Sequence, residues 1–102
     1  MSVVVVATIT PKPDQLDAVR EALLAAVPKV HAEPGCELYA LHEGKGEFVM
    51  VERWESKEAL KVHGTAEALT TLGGQLADKL AGPLEVRRLT AVPAGDADKG
   101  AL

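Results

Sequence analysis

"CELYALHEGKGEFVMVERWE" (residues 36–55) reads as two strands, 36–42 and 47–55, around the turn "EGKGE" (43–47). Its glycines suit a tight hairpin with Gly46 at positive φ. With Gly44-Lys45-Gly46 as the loop, Glu43 pairs with Glu47. Cys36, Leu38, Ala40 and His42 then stand beside Trp54, Glu52, Met50 and Phe48 on one face. Tyr39 falls on the other face with Val49, Val51 and Arg53. A slip of one residue reverses that assignment, because side chains alternate with period two.

Helical patterns flank the hairpin. Upstream, Leu16, Val19, Leu23, Val27 and Val30 recur at helical spacing to about Ala32, with Asp14 placed as N-cap, and "EPG" (33–35) ends the run. Pro28 has no N–H and crowds the Leu24 carbonyl, so a kink is expected there. Downstream, Ser56 is placed to cap "KEALKVH" (57–63), which Gly64 interrupts. Thr65 is placed to cap "AEALTTLGGQLADKLA" (66–81), closed by Gly82-Pro83.

The outermost segments are strands. "SVVVVATIT" (2–10) is β-branched and stopped by Pro11 and Pro13, and "LEVRRLTAV" (84–92) is the last strand. The order is β-α-β-β-α-β, a ferredoxin-like α+β fold with a four-stranded antiparallel sheet. Residues 1–93 form one domain, and "PAGDADKGAL" (93–102) is small and polar, so 94–102 reads as a flexible C-terminal tail. Two helices cover only one face of such a sheet. Yet Val3 and Val5 face one way and Val4 and Val6 the other, so both faces of the first strand call for a dry environment. A homodimer with sheets face to face is the simplest solution, and a sheltered apolar hollow is expected between the two sheets.

Composition narrows the function. A chain of 102 residues with 47% hydrophobic and 25% charged residues is ordinary globular protein. Fifteen acidic against 11 basic residues give a net charge of −4, and only Arg87-Arg88 are adjacent cations, a poor footprint for nucleic acid. No run is long enough to span a bilayer and no secretory leader is legible. One cysteine makes no intrachain disulfide, so a cytoplasmic location is expected. His31, His42 and His63 share no metal-binding spacing, so no metal is expected. There is no G-x-S-x-G and no nucleotide-binding glycine loop, so no cofactor is expected from motifs.

Three features could carry chemistry. Cys36 lacks a base or helix N-terminus and reads as packing. The three aromatics Tyr39, Phe48 and Trp54 lie on one hairpin, with Glu52 between Met50 and Trp54. A carboxylate there either pairs with Arg53, Arg87 or Arg88 and orders the sheet, or carries a raised pKa. His63, near the end of its helix, either caps carbonyls or faces the sheet as a proton acceptor near neutral pH.

Two stretches, "VPKVHAEPGCELYAL" (27–41) and "FVMVERWESKEALKVH" (48–63), resemble the antibiotic biosynthesis monooxygenase family, especially its quinol-monooxygenase-like members. The matching residues are Glu33, Gly35, Cys36, Tyr39, Glu52, Trp54, Glu55, Ser56 and His63. The resemblance spans about residues 3–93. It implies a dimeric α+β barrel and oxygenation of a small aromatic quinol or polyketide-like phenol by O₂ without a cofactor. It further implies that His63 is the base or hydrogen-bond donor, that Glu52 tunes or positions it, and that Tyr39 and Trp54 form the pocket. Phe48, Met50 and Arg53 are their hairpin neighbours in the expected substrate site. Where such relatives often carry a second histidine, this chain reads "GTAEAL". Haem-degrading relatives need an asparagine, and this chain has none. Isomerases of small phosphorylated keto-sugars share the fold and would need Arg87 or Arg88 as an anion site. A non-enzymatic dimer that binds a small aromatic molecule is the remaining alternative.

Overall fold

The computed structural model describes residues 2–102. Strand β1 (Val3–Ile9) leads through a short 3-10 turn into helix α1 (Leu16–His31). Strands β2 (Cys36–Gly44) and β3 (Glu47–Trp54) form the hairpin, followed by helices α2 (Lys57–Gly64) and α3 (Glu67–Leu76) and strand β4 (Glu85–Leu89). The sheet is antiparallel throughout with order β2-β3-β1-β4. This is the ferredoxin-like α+β arrangement, with the second helical segment split at Gly64 as expected.

The core lies between one face of the sheet and the helices. Val5, Ala7, Ile9, Phe48, Met50 and Trp54 meet Val19, Leu23, Val30, Leu60, Leu72 and Leu76 there. Every second residue of β3 is buried, the period-two signature of a strand with one dry face.

Several boundaries differ from expectation for identifiable reasons. Asp14 does not cap α1: with Pro13 leading, Pro13–Gln15 forms the 3-10 turn, and the N-cap of α1 is Gln15, with no side-chain bond. Helix α1 runs on through Pro28 to His31. Thr65 does not cap α3; its hydroxyl donates to the Val62 carbonyl and closes α2, and Ala66 is the N-cap of α3. Helix α3 stops at Leu76, because the chain turns back through Asp78 (φ 61°) to bond alongside Thr10 and Lys12.

The hairpin register differs most consequentially. The loop is Lys45-Gly46, with Gly46 at φ 74°, so Gly44 rather than Glu43 faces Glu47. Pairing is therefore shifted by one from Leu38 to the turn. Cys36 still faces Trp54, as expected, because a bulge between Cys36 and Leu38 absorbs the extra residue. Glu37, the bulged residue, accepts from Ser2 Oγ (2.8 Å) and Arg53 Nε (3.1 Å), which holds it outside the ladder. The shift carries Tyr39 to the helix-covered face, opposite Glu52, and leaves Leu38 and Ala40 on the open face opposite Arg53 and Val51.

Candidate active site

Two short connections bring the site together. After α1, Glu33 N–H donates to the Val30 carbonyl (2.9 Å), and Gly35 turns the chain at φ 80°. Glu55 N–H then donates to the Gly35 carbonyl (2.8 Å), tying this turn to the end of β3. Ser56 starts α2, its hydroxyl accepting from Ala59 N–H at 3.1 Å. Leu60 and His63, three apart, form the buried side of that helix. Glu33, Glu52 and His63 thereby converge from three elements.

His63 is 5% exposed and sits between two carboxylates. Its Nδ1–H donates to Glu33 Oε1 at 2.8 Å, and its Nε2 stands 4.0 Å from Glu52 Oε1. Its ring stacks on Trp54 (centroids 4.4 Å apart, planes at 28°) and meets Tyr39 edge-on at 5.7 Å. Trp54 Nε1–H donates to Glu52 Oε1 at 2.9 Å. The other Glu33 oxygen, Oε2, is buried and unpartnered among the described residues. With Nδ1 committed as donor to a carboxylate, Nε2 is the ring atom that carries the lone pair whenever the imidazole is neutral.

Burial pushes the Glu52 carboxyl above the usual carboxylate range; the Trp54 hydrogen bond and the His63 charge oppose this only in part. Burial, followed by the charges of Glu52 and Glu33, also pushes the Tyr39 phenol up, so it stays protonated and can donate. The same causes raise the Cys36 thiol, with desolvation first. A half-buried thiol held away from thiolate is poorly suited to nucleophilic attack, in keeping with its reading as packing.

A cavity of about 270 Å³ opens beside this cluster, between the sheet and the helices. Tyr39, Met50, Glu52 and His63 line it, with Val5 and Leu72 among its apolar walls and Arg88 on β4. His63 and Glu52 therefore share one pocket. This cavity lies inside a single chain, because the inward-facing apolar side chains of β3 point toward the helices.

Not every expected site residue joins. Trp54 is fully buried and acts as a wall behind His63. Phe48 is fully buried at the hairpin's far end, under the Arg20 guanidinium (5.6 Å from its ring centroid), and does not line the cavity. Arg53 projects from the opposite face and pairs with Glu37, so it is corrected from pocket residue to surface ion pair. It is not the partner of Glu52 either; Trp54 fills that role. The contact that sequence reading missed is that of Glu33, which it placed in the helix-ending "EPG" and among the residues matching the family without giving it a role at His63. No periodicity signals a contact with His63 thirty positions away.

Comparison with known proteins agrees with this fold. The model of the family described as "Antibiotic biosynthesis monooxygenase" matches residues 2–72. A Mycobacterium tuberculosis protein named "Putative monooxygenase Rv0793" is 35% identical over 86 residues, covering 82% of this chain and 85% of its own length. The solved structure of Rv0793 superposes with a TM-score of 0.87 at 32% identity, covering 94% of this chain and 100% of that one. A Caulobacter crescentus CB15 structure, described as a "putative antibiotic biosynthesis monooxygenase", gives a TM-score of 0.83 at 30% identity, over 89% of this chain and 90% of that one. The family match extends from β1 into α3, a span that includes Glu33, Tyr39, Glu52, Trp54 and His63, and on this evidence the chain belongs to the antibiotic biosynthesis monooxygenase family.

Proposed function

We propose that the protein is a cofactor-independent monooxygenase that oxidises a small aromatic quinol or polyketide-like phenol with O₂, working as a homodimer. The observation that carries this reading is His63, held by Glu33 with its free Nε2 at a largely apolar cavity. A cavity of about 270 Å³ is at the small end for ligand sites and suits a molecule of one or two rings.

The residues divide the work. His63 Nε2 takes the phenolic proton, and the resulting imidazolium lies between the Glu33 and Glu52 carboxyls, which favour its charge. Tyr39, a neutral donor, can stabilise the phenolate oxygen. The apolar walls exclude water, so the anion keeps its reducing power toward O₂. One oxygen atom is retained by the substrate and the other leaves as water, with all four electrons supplied by the substrate.

Oxygen uptake with a panel of quinols and phenols, paired with mass spectrometry under ¹⁸O₂, tests the reading. Incorporation of one labelled atom is expected for the wild type. His63→Ala should lower kcat by about 10²–10⁴-fold, the usual range for a general base. Turnover unchanged in His63→Ala refutes the role of this residue. No uptake with any member of the panel, together with tight binding, would instead identify a small-molecule-binding protein.

A further inference from the structure

Tyr39, Glu52, Val5 and Arg88 stand in one row across all four strands: Tyr39 faces Glu52, Glu52 faces Val5, and Val5 faces Arg88. All four line the cavity. Strands lie about 4.8 Å apart, so the Cα atoms of Glu52 and Arg88 are separated by roughly 10 Å, two strand spacings. The cavity therefore has two chemically distinct ends with an apolar stretch between them. His63, Glu52 and Tyr39 occupy the enclosed end. Arg88 stands at the other, on a strand exposed along its length, beside Leu84 and Val86.

Arg88 is the only lysine or arginine lining the cavity, and it forms no ion pair among the described residues. Its neighbour Arg87 faces Val6 and belongs to the opposite side of the sheet. We infer that Arg88 holds a carboxylate on the substrate, whose class is a one- or two-ring phenol or quinol bearing the acid at the end remote from the reacting hydroxyl. This inference rests on the monooxygenase reading for the word substrate; the binding preference itself does not.

Electrostatics sets the direction of entry. An anionic group pushed to the enclosed end would be desolvated beside Glu52 and close to Glu33, both acidic. At the mouth the same group meets a guanidinium, whose planar fork matches a carboxylate, while water remains nearby. The neutral hydroxyl end then enters first and reaches His63 Nε2. The span between the two ends suits two fused rings with substituents at opposite ends.

Calorimetric titration under nitrogen, where the absence of O₂ prevents turnover of a phenol, tests this with three probes. 6-Hydroxy-2-naphthoate carries both groups, 2-naphthol lacks the acid, and ribose 5-phosphate is an anion without rings. The wild type is expected to bind the hydroxynaphthoate about tenfold or more tightly than 2-naphthol, as a charge-assisted bidentate contact allows. Arg88→Gln should abolish that preference while leaving 2-naphthol binding unchanged. Arg88→Lys should restore part of it, and Arg87→Gln should leave it intact. Equal binding of the two naphthalenes by the wild type overturns the proposal, as does a preference that survives Arg88→Gln or is lost equally in Arg87→Gln. Ribose 5-phosphate binding as tightly as the aromatic acid overturns the assigned class. A change of oligomeric state confined to Arg88→Gln would assign the residue to subunit contact and also overturn it. Because these probes read binding alone, the acid preference can fail while oxygen uptake persists, or hold where uptake is absent.

Discussion

The Glu52 carboxyl lies between Met50 and Trp54 on the inward face of β3 at 5% exposure, and desolvation raises its pKa. In the unfolded chain a glutamate titrates near about 4.3. Between that pH and the higher value in the fold, the native state holds the proton more tightly than the unfolded one. Stability from this group is therefore present at low pH and lost as pH rises through the folded value. Glu52→Gln keeps an acceptor for Trp54 Nε1–H and cannot ionise. Its stability relative to wild type should rise from pH 4.5 to pH 7.5, as read by urea unfolding; parallel pH profiles would show that Glu52 is not desolvated in this way. Glu33 accepts from His63 Nδ1–H through one oxygen, and its other oxygen is buried without a partner among the described residues. Glu52 could be singled out from strand alternation, whereas the Glu33 contact depends on where two remote segments meet.

At the scale of elements, α2 is placed by contacts at its start. Ser56 caps it, and Gly35 lies beneath it: a Cβ on Gly35 would come within 2.4 Å of Ala59 Cβ. Gly35 also has φ 80°, where a side chain is strained. Gly35→Ala should cost about 1–3 kcal/mol for the backbone conformation alone, with a further contribution of about 1–3 kcal/mol from displacing α2. Denaturant unfolding gives the first check. The second is activity measured well below the unfolding midpoint, which should fall with stability because α2 carries His63. A variant within about 0.5 kcal/mol of wild type, the scale of ordinary surface changes, would mean that the turn relaxes freely. The bulge at Glu37 acts at the same scale, since it lets Cys36 face Trp54 while Tyr39 faces Glu52.

For the whole molecule, the helices leave much of the sheet uncovered. All five residues of β4 are exposed, including Val86 at 57% and Leu89 at 46%, and Val6, Val49 and Val51 on the open face are only partly buried. The Cα radius of gyration is 14.1 Å, above the roughly 13 Å expected of a compact domain of this length. A row of unpaired, partly apolar edge strand exposed in this way invites association. The proposed homodimer places a second copy against the open face that carries Val6, Val49 and Val51, on the side of the sheet away from Arg88 and the cavity. Light scattering at micromolar concentration should return twice the 10.7 kDa chain mass. Val51→Glu, which puts a charge on the open face, should shift the population to monomer. A monomeric wild type would remove the dimer from the proposal and leave the intrachain cavity as it stands.

Element order and the two-faced character of β1 were legible in the sequence, because strand and helix periodicities and glycine or proline breaks are local properties of the chain. That Met50, Glu52 and Trp54 share one face of β3 was legible too, through period-two alternation. Tertiary structure alone decided the register, the face on which Tyr39 lies, the contact of Glu33 with His63, and the position of the cavity between helices and sheet. Register turns on a one-residue choice at Lys45-Gly46 and a bulge held by Ser2 and Arg53. Those depend on contacts between segments far apart in the chain, which a local pattern does not contain.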